Sequence, residues 1–533
     1  MKLVLRCVIL AWILFGAWQL LQLETRTWGK DLATHPDEAA HFTSGVMVAD
    51  YLRGGAGTNP VAFASEFYVH YPKVAIGHWP PFYYLVEAVW FGIAGETVSS
   101  ARALVMLTAL LLMAGTFWWA RRDLGWTAAF AVCAVLLNLN VFRIGASEVL
   151  SDAMVAFLSM AALFFWVRYF EKYRRADLFL FSLVASAAIL TKGNAWVILL
   201  AVGLAPLLAG RWRIYLDRWY WISGVLVVLL AAPFYVYAQS TESGYPTGSA
   251  QAVLQTGVIA RRFQMFVAGL LPVLPPAAWA LSAIGLLAGF RLREGAHKLR
   301  WAMAAAFAVS MIAFLVLSGL SFEDRVLLPV VPFLLILACQ GAIALASLRK
   351  PFAVPVLLAC LLLCFLPLQE FNAKPRDGYK EILLDIPASQ SPRALLVLSD
   401  SIGEGAVLVH ELIQDPRRRN ATIRGTKFLS EQDWNGQNYR ELFPEDQALL
   451  EELQKIPVTY VLIDDWSRRA ETTRLRRVAA ANFTLLSRRA VQGKFIELYQ
   501  NPKADGRGIE SLRFSLGPSH GSRMVELDPK AHQ

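Results

Sequence analysis

Charge is scarce in this chain. Only 17% of its 533 residues are charged, against 56% hydrophobic, and the mean hydropathy is +0.43. A soluble protein of this length divides into domains with polar surfaces, so the shortage of charge argues against that class and for a polytopic membrane protein. Cysteine is nearly absent. Cys7, Cys133, Cys339, Cys360 and Cys364 all fall inside apolar runs, with no metal-ligand spacing, so they give neither a zinc motif nor a reading of the redox compartment. No internal repeat is visible. No clear small-x-small cleavage site follows the apolar run from Lys2 to Leu23, which therefore reads as an uncleaved first span. The net charge of +10 does not point to nucleic acid, because much of it lies in short basic clusters between apolar runs.

What is present is apolar runs of membrane-crossing length. After the first, a mixed polar stretch runs from Glu24 to Pro81. Phe82 to Ala94 is apolar but short and contains Glu87, and reads as an interfacial or re-entrant helix. Further spans are predicted near 101–120, 124–142, 151–170, 177–191, 195–209, 219–238, 266–290, 301–319, 326–348 and 352–369. With the first run the expected total is about 11–13 transmembrane helices. Arg121/Arg122, Arg168 to Arg175, Arg211 to Arg218, Arg291 to Arg300 and Arg349/Lys350 fall in alternate connections. They share the cytoplasmic side if the N-terminus is cytoplasmic and 82–94 does not cross.

The remaining connections then face outward. They hold His35/Asp37/Glu38/His41, Ser147/Glu148/Asp152, Thr191/Lys192, Arg261/Arg262 and Glu323/Asp324/Arg325. Ionisable groups this close to hydrocarbon are rare unless they have a task. Carboxylates and cations gathered on one face suit an enzyme acting on a membrane substrate. The densest stretch is Thr34-His35-Pro36-Asp37-Glu38-Ala39-Ala40-His41. Pro36 suits a first helical turn, with the acids behind it favoured by the helix dipole. Asp37 and His41 would then share a face, as would Glu38 and His41. Asp37 is the expected catalytic centre, with helix capping as the competing explanation for both acids.

From about Phe371 the composition becomes that of a soluble domain. Arg393 to Leu398, Val458 to Ile463, Phe483 to Leu486 and Phe495 to Tyr499 read as strands, and Gly405 to Ile413 and Asp446 to Gln454 as amphipathic helices. The expected division is a transmembrane catalytic domain over 1–370, with 24–81 as its first periplasmic loop, and a soluble α/β domain over 371–533 with a polar tail. Asn420-Ala421-Thr422 and Asn482-Phe483-Thr484 match the glycosylation sequon, a tripeptide common by chance.

Taken in order, Pro36-Asp37-Glu38, His78-Trp79-Pro80-Pro81-Phe82-Tyr83-Tyr84, Ser151-Asp152, Leu190-Thr191-Lys192-Gly193 and Asp324-Arg325-Val326-Leu327-Leu328-Pro329-Val330-Val331-Pro332 form a set. That set resembles the bacterial relatives of the dolichyl-phosphate-mannose protein mannosyltransferases, which include the lipid A aminoarabinose transferase (glycosyltransferase family 39-like). The resemblance covers about residues 1–350. It implies a GT-C fold and transfer of a sugar, hexosyl or pentosyl, from a polyprenyl-phosphate donor, with inversion, at the periplasmic face of a bacterial inner membrane. The acceptor would be a lipid, a glycan or a protein. Two positions depart from the pattern. Many relatives have Arg-Tyr at Arg325-Val326, and the aminoarabinose transferase has Lys-Pro near Trp79-Pro80.

Such a transfer needs a base at the acceptor and fixed cations at the leaving phosphate. Asp37 fits the base, with Glu38 orienting the helix or the acceptor. Asp152 matches a functionally important family position, although a helix N-terminus would welcome an anion there anyway. Lys192, Arg262, Arg325 and Lys73 are the donor-phosphate candidates, against ordinary interfacial snorkelling of long cationic chains. His78 and Glu148 are candidates for sugar or acceptor contact. No cofactor is expected, since the related transferases generally need no metal for the transfer. If a divalent ion were bound, Glu38-Ala39-Ala40-His41 has the Glu-x-x-His spacing and His35 could complete it. The rival from another class is a polytopic transporter or lipid flippase. It should carry polar or broken segments at mid-membrane and pseudo-symmetric halves, whereas here the charges sit in outward connections.

Overall fold

The computed structural model describes residues 2–74, 79–240, 256–270, 272–292, 295–318, 323–348, 352–365, 376–387, 392–431, 439–456, 458–504, 511–515 and 522–526. The chain folds as two compact units, and neither is a continuous stretch. A helical unit comprises Met1–Arg26, Gly77–Tyr83 and Arg102–Asn372; a mixed unit comprises Thr27–Ile76, Tyr84–Ala101 and Ala373–Gln533. The expected boundary near residue 370 is thus one of several crossings, and most of the first loop shares a unit with the C-terminal domain.

Among the described residues of the helical unit, the helices long and apolar enough to cross a membrane include Asp152–Lys172, Arg218–Ala238, Ala296–Leu317 and Val331–Leu348. Val98–Leu124 also qualifies, and it begins in the mixed unit. Helix Arg218–Ser240 leaves Trp221, Val225, Leu229 and Val236 exposed, a surface suited to lipid contact. Two expected spans are broken. The segment 124–142 is a bent pair, Trp126–Asn138 and Asn140–Ser147, turning 72°. The extended Leu139 interrupts it, and Arg143 donates to the Leu137 carbonyl beside the break and to the Asn138 side chain. The segment 266–290 is likewise two helices, Thr256–Leu270 and Pro276–Gly289. Pro272, Pro275 and Pro276 withhold amide donors at the break.

Helices Pro276–Gly289 and Val331–Leu348 cross with their backbones in close approach. A Cβ on Gly285 would stand 1.9 Å from the Leu337 carbonyl oxygen, and one on Gly341 would stand 2.1 Å from that of Leu281. Glycine at both positions lets the two backbones touch, as in other small-residue membrane crossings. Ser282 Oγ then donates to Leu334 O at 2.8 Å across the seam.

The mixed unit is built on a five-stranded sheet ordered Ala421–Arg424, Ala394–Leu398, Tyr460–Asp464, Lys494–Gln500, Thr484–Val491. The first three strands are parallel and the last two antiparallel. The fully buried runs Ala394–Leu398 and Tyr460–Asp464 are the central strands, as their unbroken apolar sequences predict. Arg393 is fixed by a buried bidentate pair with Glu411, at 2.9 and 2.6 Å. Asn420 of the first sequon is buried and bonded to that network, and its Thr422 is buried too. Phe82–Ala94 is a helix with the expected bounds.

Candidate functional site

Within the helical unit the predicted residues converge. Asp152 opens helix Asp152–Lys172 with its carboxylate buried. Lys192 lies just past the end of helix Arg175–Ile189 and donates its Nζ to Asp152 Oδ1 at 2.6 Å. Asp152 Oδ2 faces Arg325 Nη1 at 3.7 Å, an ion pair beyond hydrogen-bond range. Arg325 sits in a single 3₁₀ turn, Asp324–Leu327, and also pairs with Glu323 at the surface. Two further bonds knit the same segments together. The Phe82 amide donates to Leu190 O at 2.9 Å, and Asn194 Nδ2 to Val326 O at 3.5 Å. Segments 79–83, 151–152, 190–194 and 324–332, far apart in sequence, are therefore joined by direct contacts. Glu148 is buried four residues before Asp152, between the short helix Asn140–Ser147 and the next. Arg262 donates to the Leu317 carbonyl at 3.4 Å, and no pairing with Asp152 is found among the described contacts. His78 lies outside the described residues.

In the mixed unit, helix Pro36–Asp50 begins where the sequence predicts. His35 is its N-cap, with Nδ1 accepting from the Asp37 amide at 3.1 Å. Glu38 reaches back so that Oε2 accepts from the Thr34 and His35 amides at 3.0 and 3.1 Å, completing a capping box. The Asp37 carboxylate is about 30% exposed and lies 3.6 Å from the His35 ring. Of the two neighbouring acids, Glu38 is thus buried and Asp37 the more accessible. His41 is buried one turn on, its Nδ1 2.9 Å from the Tyr84 hydroxyl and its ring stacked on that residue. The three side chains considered for a metal are therefore engaged in two different tasks: a helix cap and a ring contact. Asp31, Asp377 and Glu381 are the acids that approach one another closely enough to share an ion among the described residues. Asp31 is already bonded to His410 and to the Tyr379 amide.

Lys73 is buried in the same unit. Its Nζ donates to the carbonyl and the hydroxyl of Ser401, at 3.1 and 3.0 Å. Burial above all, and then the Arg424 guanidinium, bring its pKa down to about 7, while Glu404, Asp37 and Asp400 act in the opposite direction. Sequence reasoning missed Ser401. Ser399-Asp400-Ser401 ahead of an amphipathic run marks a helix start, but nothing in the sequence ties that start to a lysine 328 residues earlier.

Residues 78–237 match the family profile described as dolichyl-phosphate-mannose-protein mannosyltransferase. No curated protein sequence matches the chain. Among solved structures, ArnT from Cupriavidus metallidurans in the apo state is similar over 93% of this chain and 98% of its own, with a TM-score of 0.54 and 15% identity. The same enzyme bound to undecaprenyl phosphate covers 92% and 97%, with a TM-score of 0.54 and 16% identity. The oligosaccharyltransferase AglB from Archaeoglobus fulgidus, in complex with an inhibitory peptide and a dolichol-phosphate, covers 94% and 75%, with a TM-score of 0.52 and 12% identity. The chain therefore has the GT-C fold with a C-terminal α/β region, and resembles the membrane glycosyltransferases built on that fold, the dolichyl-phosphate-mannose protein mannosyltransferases among them.

Proposed function

We propose that the chain is a membrane glycosyltransferase that moves a hexosyl or pentosyl group from a polyprenyl-phosphate donor to a lipid, glycan or protein acceptor. The transfer takes place at the periplasmic face of a bacterial inner membrane and inverts the anomeric centre. The observation that carries this reading is the gathering of Lys192 and Arg325 on the buried Asp152. Glu323, a further partner of Arg325, lies at the surface, so an incoming phosphate can compete with it for the guanidinium. Asp152 then acts as the anchor that aims the two cations. ArnT has been solved with undecaprenyl phosphate and AglB with a dolichol-phosphate, which supports a polyprenyl-phosphate donor here.

In the proposed step an acceptor hydroxyl attacks the sugar C1 from the face opposite the phosphate. The C1–O bond breaks and its electron pair leaves on the phosphate oxygen, where the cations stabilise the charge. The proposed base for the acceptor proton is Asp37, whose carboxylate is about 30% exposed. No divalent ion enters this step, and transfer is expected to survive chelation.

The test is label transfer from a panel of polyprenyl-phosphate sugars by purified protein in membrane mimics, alongside Asp37→Asn. General-base catalysis contributes roughly 10²–10⁴-fold, and a loss of that order is expected in the variant. Full activity in Asp37→Asn would remove Asp37 from the role while leaving the reaction in place. Failure of the wild type to consume any donor, with acceptor extracts present, would overturn the transferase reading in favour of transport.

A further inference from the structure

The helix that carries Asp37 is packed against a helix of the C-terminal region. Gly405 lies at their contact. A Cβ there would stand 2.7 Å from the Ala39 Cβ and 3.5 Å from Lys73 Cε, so any side chain would force helix Ser401–Gln414 away from helix Pro36–Asp50. One turn earlier, Ser401 supplies both oxygens that hold the Lys73 ammonium. An ammonium is not at home against a helix N-terminus, whose partial charge is positive. The two Ser401 oxygens offset that repulsion, together with the Asp37, Glu404 and Asp400 carboxylates. Glu404 is itself bonded to Arg424 at 2.9 Å and Asp400 to Arg376 at 2.6 Å, so both are fixed in place.

We propose that Ser401, in the first turn of helix Ser401–Gln414, is a positioning residue for the proposed base, fixing the Lys73 ammonium within electrostatic reach of Asp37. The proposal rests on the transferase reading above and adds to it a residue from the C-terminal region. Ser401 touches neither the donor nor the acceptor in this scheme and acts through Lys73.

The groups facing Lys73 determine the expected pH behaviour. Asp37 from the first-loop helix and Glu404 and Asp400 from the C-terminal helix and its cap favour the charged form; burial and Arg424 oppose it. With a pKa of about 7, Lys73 loses its proton as the pH rises through neutrality, and transfer should fall along that limb. Ser401→Ala removes an acceptor that favours the charged form. The Lys73 pKa should therefore drop by about one unit, carrying the alkaline limb of kcat/KM to lower pH, with roughly tenfold loss of transfer above neutrality. Ser401→Thr keeps the hydroxyl and should restore the limb.

Two readouts on the full-length protein in membrane mimics separate the outcomes. The first is Lys73 titration by competitive acylation across pH, read by mass spectrometry, which needs no donor. The second is the pH profile of transfer from the active polyprenyl-phosphate sugar, with Asp37→Asn as the inactive control. A downward shift in Lys73 titration and in the alkaline limb for Ser401→Ala, reversed in Ser401→Thr, supports the proposal. An unmoved Lys73 titration overturns it whatever the transfer assay gives. A moved titration with an unmoved transfer profile also overturns it, while leaving the transferase reading intact. Full activity in Asp37→Asn counts against the Asp37 assignment and is visible independently of Ser401.

Discussion

Asp37 and Glu38 are adjacent and chemically alike, yet the fold gives them different work. Glu38 accepts two amides in the capping box and is buried, whereas the Asp37 carboxylate is about 30% exposed. Glu38→Ala should therefore cost about 1 kcal/mol of helix stability, read as a lower melting temperature, with Glu38→Gln recovering most of it because an amide oxygen can still accept. An equal loss of transfer in both Glu38 variants at unchanged stability would show that the charge itself is used. At Asp152 the structural and chemical roles can be separated in the same way. Lys192→Met leaves the buried carboxylate, among the described residues, with Arg325 at 3.7 Å, a change of the kind that destabilises by about 3–5 kcal/mol. The double variant Lys192→Met/Asp152→Asn removes the stranded charge and should recover melting temperature but not transfer. Recovery of transfer as well would mean that Lys192 serves only the fold. The sequence made the acids, Lys192 and Arg325 legible because charge beside hydrocarbon is costly and stands out. It could not divide Asp37 from Glu38, since one helical turn of backbone amides decides which of the two is used as a cap.

Helices and strands followed their patterns where the pattern was long, and departed where a short polar or proline-rich interruption lay inside an apolar run. Helix Asp152–Lys172 matches its expected span, and the buried central strands match theirs. The run 266–290 does not, because hydropathy averages over Pro272, Pro275 and Pro276 while the backbone cannot. Helix Ala470–Asn482 and strand Ala421–Arg424 escaped notice for the opposite reason: one is too polar and the other too short to rise above its surroundings. At the Gly285/Gly341 crossing the energetics belong to the pair of helices. Gly341→Val places a branched side chain against the Leu281 carbonyl, and overpacking of this kind costs roughly 1–3 kcal/mol. The melting temperature in detergent should fall accordingly, while Gly203→Val, at a glycine with open space around it, should leave it unchanged. Equal effects at both sites would deny the crossing its special closeness.

For the whole molecule, the division of the chain matters more than the division of the sequence by composition. Composition changes near residue 371, but the first loop and the C-terminal region fold as one unit. Tyr71 bonds to Asp415, Arg418 to Asp50, and His410 to Asp31. No local pattern in the sequence could reveal this, because each partner looks like an ordinary surface residue of its own segment. Truncation after residue 375 should therefore do more than remove a domain: limited proteolysis should cut the otherwise protected segment 27–74. Continued protection of that segment would show that it folds alone. The pairing of Lys73 with Ser401 also sets a timetable. The two residues are 328 positions apart, and a ribosome adding roughly 5–20 residues per second needs about 15–65 seconds to bridge them. For that interval the nascent loop carries Lys73 without the two oxygens that hold its ammonium. A chain that ends before Ser401 therefore carries Lys73 and Asp37 but lacks the oxygens that hold the Lys73 ammonium.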